Sequence, residues 1–314
     1  MKYLFIYVAV TIGSLLFVRD ASATIRPEFL LLLSCLLATL GFHALNFGKM
    51  IDVYRELLGQ ARWYLALMVC NVFIWVAAFW GDAYLSPFFV TFAIFGGGSA
   101  CTAFAELRKS FSVVALVERA PLFVVMAAFL VFNATAGGGF VTVTLKLAAI
   151  VVLSAASFLY AATSVKFSKR GLTSSQILAA RFWLLIALLL PVVVLGGHGA
   201  SLSAISHAWP AIVVTSVATF LIPTFCYQNA VIRLGARATL SICCLIPGLT
   251  LIAQHAMEVN VSSDSVLAMS ILSLSLAAGP AWAWVVSGRA PVRGIARFLD
   301  PQQGTPVVET NLPS

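Results

Sequence analysis

Residues 237–258, RATLSICCLIPGLTLIAQHAME, form a predominantly apolar stretch of helical length. At about 1.5 Å per residue, a helix of this length crosses the roughly 30 Å hydrocarbon layer of a membrane. Pro247 has no N–H to donate to the Cys243 carbonyl, so we expect the helix to kink or loosen there. In lipid, such a break is tolerated mainly where the freed carbonyl packs against other helices or borders a wet cavity. The stretch therefore predicts a broken membrane helix inside a larger bundle.

One face of this predicted helix carries polar and small side chains. At helical spacing that face contains Ser241, Cys244, Gly248, His255 and Glu258, with Gln254 beside them at the far end. We interpret this face as a candidate wall of a transport pathway. The alternative is a structural proline kink whose polar residues simply reach the membrane interface.

The whole chain has the composition of an integral membrane protein. It is 61% hydrophobic and only 10% charged, with a mean hydropathy of +1.01. Its apolar runs have helical length, which favours an all-α bundle over a β-barrel. The net charge of +8 does not predict nucleic-acid binding, because the lysines and arginines are scattered in short loops. The six cysteines lie in apolar runs without metal-type spacing, so we expect no disulfide, metal or cofactor.

Ten apolar runs predict ten transmembrane helices. They cover residues 3–18, 29–47, 63–80, 85–105, 113–132, 145–165, 177–195, 211–230, 237–258 and 266–286. The first run leaves an alternative open, because Ala21-Ser22-Ala23 resembles a signal-peptidase site and the run could be a cleaved signal peptide. Residues 49–62 read as a charged loop. Residues 288–314 read as a tail that is first basic and then disordered.

The distribution of positive charge predicts the orientation in the membrane. With the amino terminus in the cytoplasm, all 19 lysines and arginines except Arg19, Arg26 and Lys146 lie inside or at the inner boundary. Both termini are then cytoplasmic. We expect a multi-pass protein of the cell membrane, which in a prokaryote is the inner membrane.

The ten helices divide into two halves of five, residues 1–136 and 137–287. Gly96 precedes Glu106 by ten residues and Pro247 precedes Glu258 by eleven, each pair on the fourth helix of its half. We therefore predict two inverted five-helix repeats with matching weak points, the arrangement that alternating access requires. Glu106 and Glu258 lie at helix ends where the dipole disfavours a carboxylate, so we expect structural pairing or capping from them.

Two groups of residues are candidates for function. The predicted hinge points are Gly96, Gly97, Gly98, Pro223 and Pro247, and the three glycines also allow another backbone to approach closely. The predicted lining of a solute cavity is Asn71, Trp75, Ser99, Thr102, Tyr160, Arg181, Thr219, Tyr227, Gln254 and His255. Arg181 has two interpretations: it snorkels to the nearby interface, or it faces the bundle and holds an anion or a carbonyl.

Three segments resemble the drug/metabolite transporter superfamily in its EamA-like ten-helix form. Residues 63–112, with WGDAYLSPFFVTFAIFGGGSACTAFAELRKS, resemble the hairpin of the third and fourth helices with its closing Glu106. Residues 164–191, SVKFSKRGLTSSQILAARFWLLIALLLP, resemble the sixth-to-seventh helix region, and residues 227–258 the eighth-to-ninth. The first helix lacks the usual Trp-Gly, and Gly96 stands where that family has a proline.

The resemblance implies a permease that moves small solutes by alternating access, often an exporter of amino acids or related metabolites. Its partners would be a small-molecule solute and membrane lipids, and a homodimer is left open. Two other classes stay open: a lipid or polyprenyl-carrier flippase of the same fold, and a non-transporting membrane scaffold. We expect no enzymatic activity, because the sequence offers no metal cluster, paired carboxylates or activated nucleophile.

Overall fold

The computed structural model describes residues 2–24, 26–84, 87–109, 111, 113–135, 140–196, 209–210, 212–256, 270–271 and 273–274. Almost all of these residues are helical, and no strand occurs among them. In chain order the helices are α1 (Lys2–Thr24), α2 (Pro27–Leu45), α3 (Met50–Leu58), α4 (Ala61–Tyr84), α5 (Pro87–Phe92), the π-helical segment π1 (Ala93–Gly97), α6 (Gly98–Lys109), α7 (Val113–Thr135), α8 (Phe140–Lys169), α9 (Ser174–Ala180), α10 (Trp183–Leu195), the π-helical segment π2 (Ser216–Leu221), α11 (Ile222–Leu234), α12 (Ala236–Cys243) and α13 (Leu245–Ala256).

Seven helices in the described part are long and apolar enough to cross a membrane. They are Pro27–Leu45, Ala61–Phe79, Phe88–Lys109, Phe140–Lys169, Ser174–Leu195, Ile212–Leu234 and Ala236–Ala253. The chain is therefore an all-helical membrane protein. Shorter apolar helices, Lys2–Ser14 and Arg119–Val131, lie within α1 and α7. Most of the tenth predicted span lies outside the described residues, so the ten-helix count and the inverted repeats stay predictions.

Local helix breaks occur at the three places where the sequence predicts them. The fourth span passes through π1, which contains Gly96 and Gly97, before α6 begins at Gly98. The eighth span contains π2, and Pro223 follows it in the first turn of α11. In the ninth span, α12 ends and α13 begins on either side of Cys244, one turn before Pro247. Pro247 has no N–H to donate to the Cys243 carbonyl, and this missing hydrogen bond explains where the helix breaks.

A fourth interruption, at Arg181 and Phe182 between α9 and α10, has no glycine or proline to announce it. Side chains of α4 bind the carbonyls at this point. The Tyr64 hydroxyl donates to the Ala180 carbonyl at 2.9 Å, and Asn71 Nδ2 donates to the Arg181 carbonyl at 3.4 Å. Because both carbonyls have partners inside the protein, the interruption is compatible with a membrane interior.

The segment predicted as a charged loop contains a helix, α3, and that part of the prediction is wrong. Val53 and Leu57 are buried on one face of α3, while Ile51 and Leu58 are exposed. Tyr54 ties α3 to the bundle by accepting from Trp183 Nε1 at 2.5 Å and bonding to His43 Nε2 at 3.0 Å. The sequence analysis missed α3 because most of its residues are charged or exposed, and only a narrow apolar stripe with Val53 and Leu57 packs against the bundle.

The mid-membrane glycines allow close helix packing, as predicted. A methyl group at Gly97 would overlap Ser154 Oγ of α8 and lie 2.7 Å from Ser154 Cβ. A methyl group at Gly98 would lie 2.7 Å from Ser157 Oγ. The side chains of Ser154 and Ser157 in α8 therefore pack directly against the backbone of Gly97 and Gly98 in the fourth span.

Candidate functional site

A cavity of about 130 Å³ lies among α1, α4, α8, α11 and three of the helix interruptions. It is bordered by Tyr7, Thr11, Ser14, Asn71, Ile74, Trp75, Ala78, Ile94, Phe95, Ser157, Tyr160, Arg181, Thr219, Pro223, Thr224 and Tyr227. An engineered cavity of about 150 Å³ in another protein holds one benzene molecule. The space therefore suits a single ring or a branched aliphatic group.

The structure brings together six of the predicted cavity residues and one predicted hinge. Asn71 and Trp75 of α4, Tyr160 of α8, Arg181, Thr219 of π2 and Tyr227 of α11 all line the cavity, together with Pro223. Helical spacing places Asn71 and Trp75 on one face of α4, and Thr219 on the same face as Tyr227. In the bundle these faces border one cavity.

Four other predicted lining residues lie elsewhere or have no described side chain. Ser99 hydrogen-bonds to Ser241 at 2.6 Å between the fourth and ninth spans, and Thr102 donates to the Gly98 carbonyl at 2.9 Å. Both are buried in helix contacts away from the cavity. His255 is exposed near the end of α13 and does not border the cavity. Gln254 belongs to the same turn, and its side chain lies outside the described residues.

The predicted structural carboxylate Glu106 pairs with two arginines. Its Oε2 accepts from Arg119 Nη2 at 3.0 Å and from Arg237 Nη1 at 3.1 Å. This joins the end of α6 to the starts of α7 and α12. Glu258, its predicted counterpart, lies outside the described residues. We call Glu106, Arg119 and Arg237 the ion cluster.

Five of the sixteen residues that border the cavity are aromatic: Tyr7, Trp75, Phe95, Tyr160 and Tyr227. Trp75 stacks on Phe220 with ring centroids 4.1 Å apart, and Tyr7 of α1 lies 5.1 Å from the Tyr227 ring. Tyr227 in turn lies 6.1 Å from Tyr160. Such walls bind flat or apolar groups through ring contacts while the hydroxyls stay available for hydrogen bonds.

Sequence reasoning missed the contribution of the first helix. Tyr7, Thr11 and Ser14 of α1 line the cavity at i, i+4 and i+7, and this spacing was visible in the sequence. The signal-peptide alternative drew attention to Ala21-Ser22-Ala23 instead. Cleavage at that site would remove one wall of the cavity.

Arg181 is buried, with a relative exposure of 3%, so the snorkelling interpretation is wrong. Its Nη1 donates to the Tyr160 hydroxyl, and that hydroxyl donates to Gln228 Oε1 at 2.8 Å. Ser164 donates to the same Gln228 oxygen at 3.3 Å. The guanidinium carbon also lies 4.4 Å from the centre of the Phe182 ring. A relay of buried polar groups thus positions Arg181 at the edge of the cavity.

Gln228 is the second residue that the sequence analysis missed. It is completely buried and joins α8 to α11 through Tyr160 and Ser164. The adjacent amides Gln228 and Asn229 in the otherwise apolar end of the eighth span were the available signal.

The chain matches no protein-family model, no curated protein and no solved structure.

Proposed function

We propose that this protein is a membrane permease that moves small amphipathic solutes through the cavity by alternating access. The observation that supports the proposal most strongly is the cavity itself. Its aromatic and hydroxyl groups meet at three helix interruptions, which are π1, π2 and the break at Arg181. Interrupted membrane helices around a central site are typical of secondary transporters. The resemblance to EamA-like transporters points to the same class.

The proposed permease has ten helices in two inverted repeats, with π1, π2 and the break before Pro247 as hinges. Export of amino-acid-like metabolites is the activity that the resemblance implies. A scaffold without transport would have no use for a cavity bordered by a buried arginine and several hydroxyls, which carry a desolvation cost.

Transport is tested by filling the cavity. Ala78 of α4 borders it, so Ala78→Phe should place a ring in the space and abolish solute flux. Val76→Phe adds a ring to the outer surface of the same helix, where Val76 is 37% exposed, and should leave flux unchanged. The measurement is release of a labelled mixture of amino acids and small metabolites from proteoliposomes, with and without a pH gradient.

Equal flux from the wild type and Ala78→Phe would contradict the proposed pathway. Absence of flux from folded wild-type protein under every gradient would contradict the permease itself. In the second case the next assay is movement of labelled lipids between leaflets. Arg181 favours this flippase alternative specifically, because a buried cation suits a lipid phosphate.

The proposed orientation has its own test. In a chain with its natural cysteines replaced, Arg55→Cys and Phe140→Cys place single thiols on exposed positions at opposite ends of the bundle. We expect a membrane-impermeant maleimide to label Phe140→Cys in intact cells and Arg55→Cys only after permeabilisation. The reverse pattern would contradict the cytoplasmic placement of the basic loops.

A further inference from the structure

The charge of Arg181 has no counter-ion in the part of the chain that the structure describes. No ion pair between described side chains includes it, and the described carboxylates of Asp52, Glu56 and Glu106 pair with other arginines. An arginine keeps its proton in proteins, so burial cannot neutralise it. A buried charge without a counter-ion is destabilising, and such residues inside membranes generally serve a function.

The unused donors of Arg181 form one edge of the guanidinium group. Nη1 is occupied by the Tyr160 hydroxyl, whereas Nε and Nη2 are buried and have no hydrogen-bond partner among the described residues. Nε–H and Nη2–H lie side by side in the guanidinium plane. Two parallel N–H groups of this kind match the two oxygens of a carboxylate or phosphate.

The surroundings of Arg181 also suit a negative charge. Thr219 Oγ1 is buried without a hydrogen-bond partner in the described part, Ser157 Oγ is buried next to the Tyr227 hydroxyl, and both residues border the same cavity. Each hydroxyl has an O–H to donate. A cationic solute would meet the positive charge of Arg181 in a medium of low dielectric, where repulsion is strong.

We propose that Arg181 binds an anionic oxygen group of the solute, a carboxylate or a phosphate, while the aromatic walls hold its apolar body. The inference rests on the proposed permease and names the chemical class of its substrate. Nε and Nη2 are shielded in this conformation, so the anion reaches them through a local rearrangement of the cavity wall. The solute then supplies the counter-charge that the protein lacks at this point.

A matched set of ligands tests the charge requirement. Phenylacetate, phenylacetamide and phenethylamine carry the same ring with an anionic, a neutral and a cationic head, and dodecyl phosphate represents a lipid-like phosphate. Radiolabelled phenylacetate is equilibrated with the purified full-length protein in detergent, and the other compounds compete for it. We expect phenylacetate to bind, with the amide and the amine weaker by about tenfold or more, because charge-assisted hydrogen bonds are the stronger ones.

Three variants connect binding to Arg181. Arg181→Gln should weaken phenylacetate binding about 10- to 100-fold, and Arg181→Lys should weaken it less, since the charge remains but the two-pronged geometry is lost. Arg55→Gln removes a charge from an exposed ion pair and should leave binding unchanged. The melting temperature of Arg181→Gln without ligand should equal or exceed that of the wild type, because an uncompensated buried charge is gone.

The outcomes separate the anion site from the permease. Equal binding of the amide or the amine would overturn the anion site and leave the permease standing. Unchanged phenylacetate binding by folded Arg181→Gln, or a clear fall in its melting temperature, would assign Arg181 a structural role and overturn the proposal. Arg181-dependent binding of dodecyl phosphate above phenylacetate would support the anion site and assign its source to a lipid. Absence of binding by every compound would overturn the anion site, and the flux assay would then judge the permease independently.

Discussion

Replacing Glu106 with glutamine should lower the melting temperature of the protein more than any other single loss of charge among the described ion pairs. Glu106 neutralises two arginines, and the side chains of the ion cluster are only 11% to 25% exposed. Glutamine keeps the shape but leaves Arg119 and Arg237 as two like charges in a mostly buried place. Breaking a buried pair by removing one partner costs about 3 kcal/mol.

The matched control is Asp52→Asn. Asp52 pairs with Arg55 at 2.8 Å, but both side chains are 76% exposed, so water screens the pair. We expect a change of less than about 0.5 kcal/mol. Thermal unfolding in detergent, followed by light scattering and tryptophan fluorescence, compares the two variants.

A double variant with Arg119→Gln added should recover part of the stability lost in Glu106→Gln, because one of the two like charges is removed. Similar melting temperatures for Glu106→Gln and Asp52→Asn would show that the ion cluster does not hold the ends of these helices together.

The second large effect is expected from Gly97→Ala. The added methyl group would overlap Ser154 Oγ, and Ser154 is buried between α8 and π1, where it donates to the Ala93 carbonyl at 3.2 Å. Either the helices separate or that hydrogen bond breaks. Overpacking of this kind costs about 1–3 kcal/mol.

Gly13→Ala is the control for Gly97→Ala, because a methyl group at Gly13 of α1 meets no atom within 4 Å. Alanine favours a helix more than glycine does, so the melting temperature of Gly13→Ala should stay level or rise. Adding Ser154→Gly to Gly97→Ala should restore stability beyond the sum of the single effects, since the two residues are in direct contact. Strict additivity in this double-mutant cycle would argue against the close approach of α8 and the fourth span.

Features that depend on residues three or four positions apart were accessible from the sequence. The apolar runs predicted the membrane class, and most of the described membrane helices begin and end within a few residues of the predicted spans. Helical spacing also grouped Asn71 with Trp75, and Thr219 with Tyr227, on faces that do line the cavity. The breaks near Gly96, Pro223 and Pro247 followed from backbone chemistry within one helix.

The amino-acid sequence therefore predicts local features: which segments are membrane helices, where they weaken, and which of their faces are polar. Which of these faces meet depends on the packing of the helices, because the contacts responsible join residues far apart in the chain. Ser99 faces Ser241 across 142 positions and so leaves the cavity, whereas Tyr7 reaches Tyr227 and makes the first helix a wall. From its position in the sequence alone, the Arg181 side chain could have extended to the membrane interface or pointed into the bundle. Its hydrogen bond to Tyr160 and its burial beneath neighbouring helices settle that choice, since a long flexible side chain takes its direction from the partners that packing supplies.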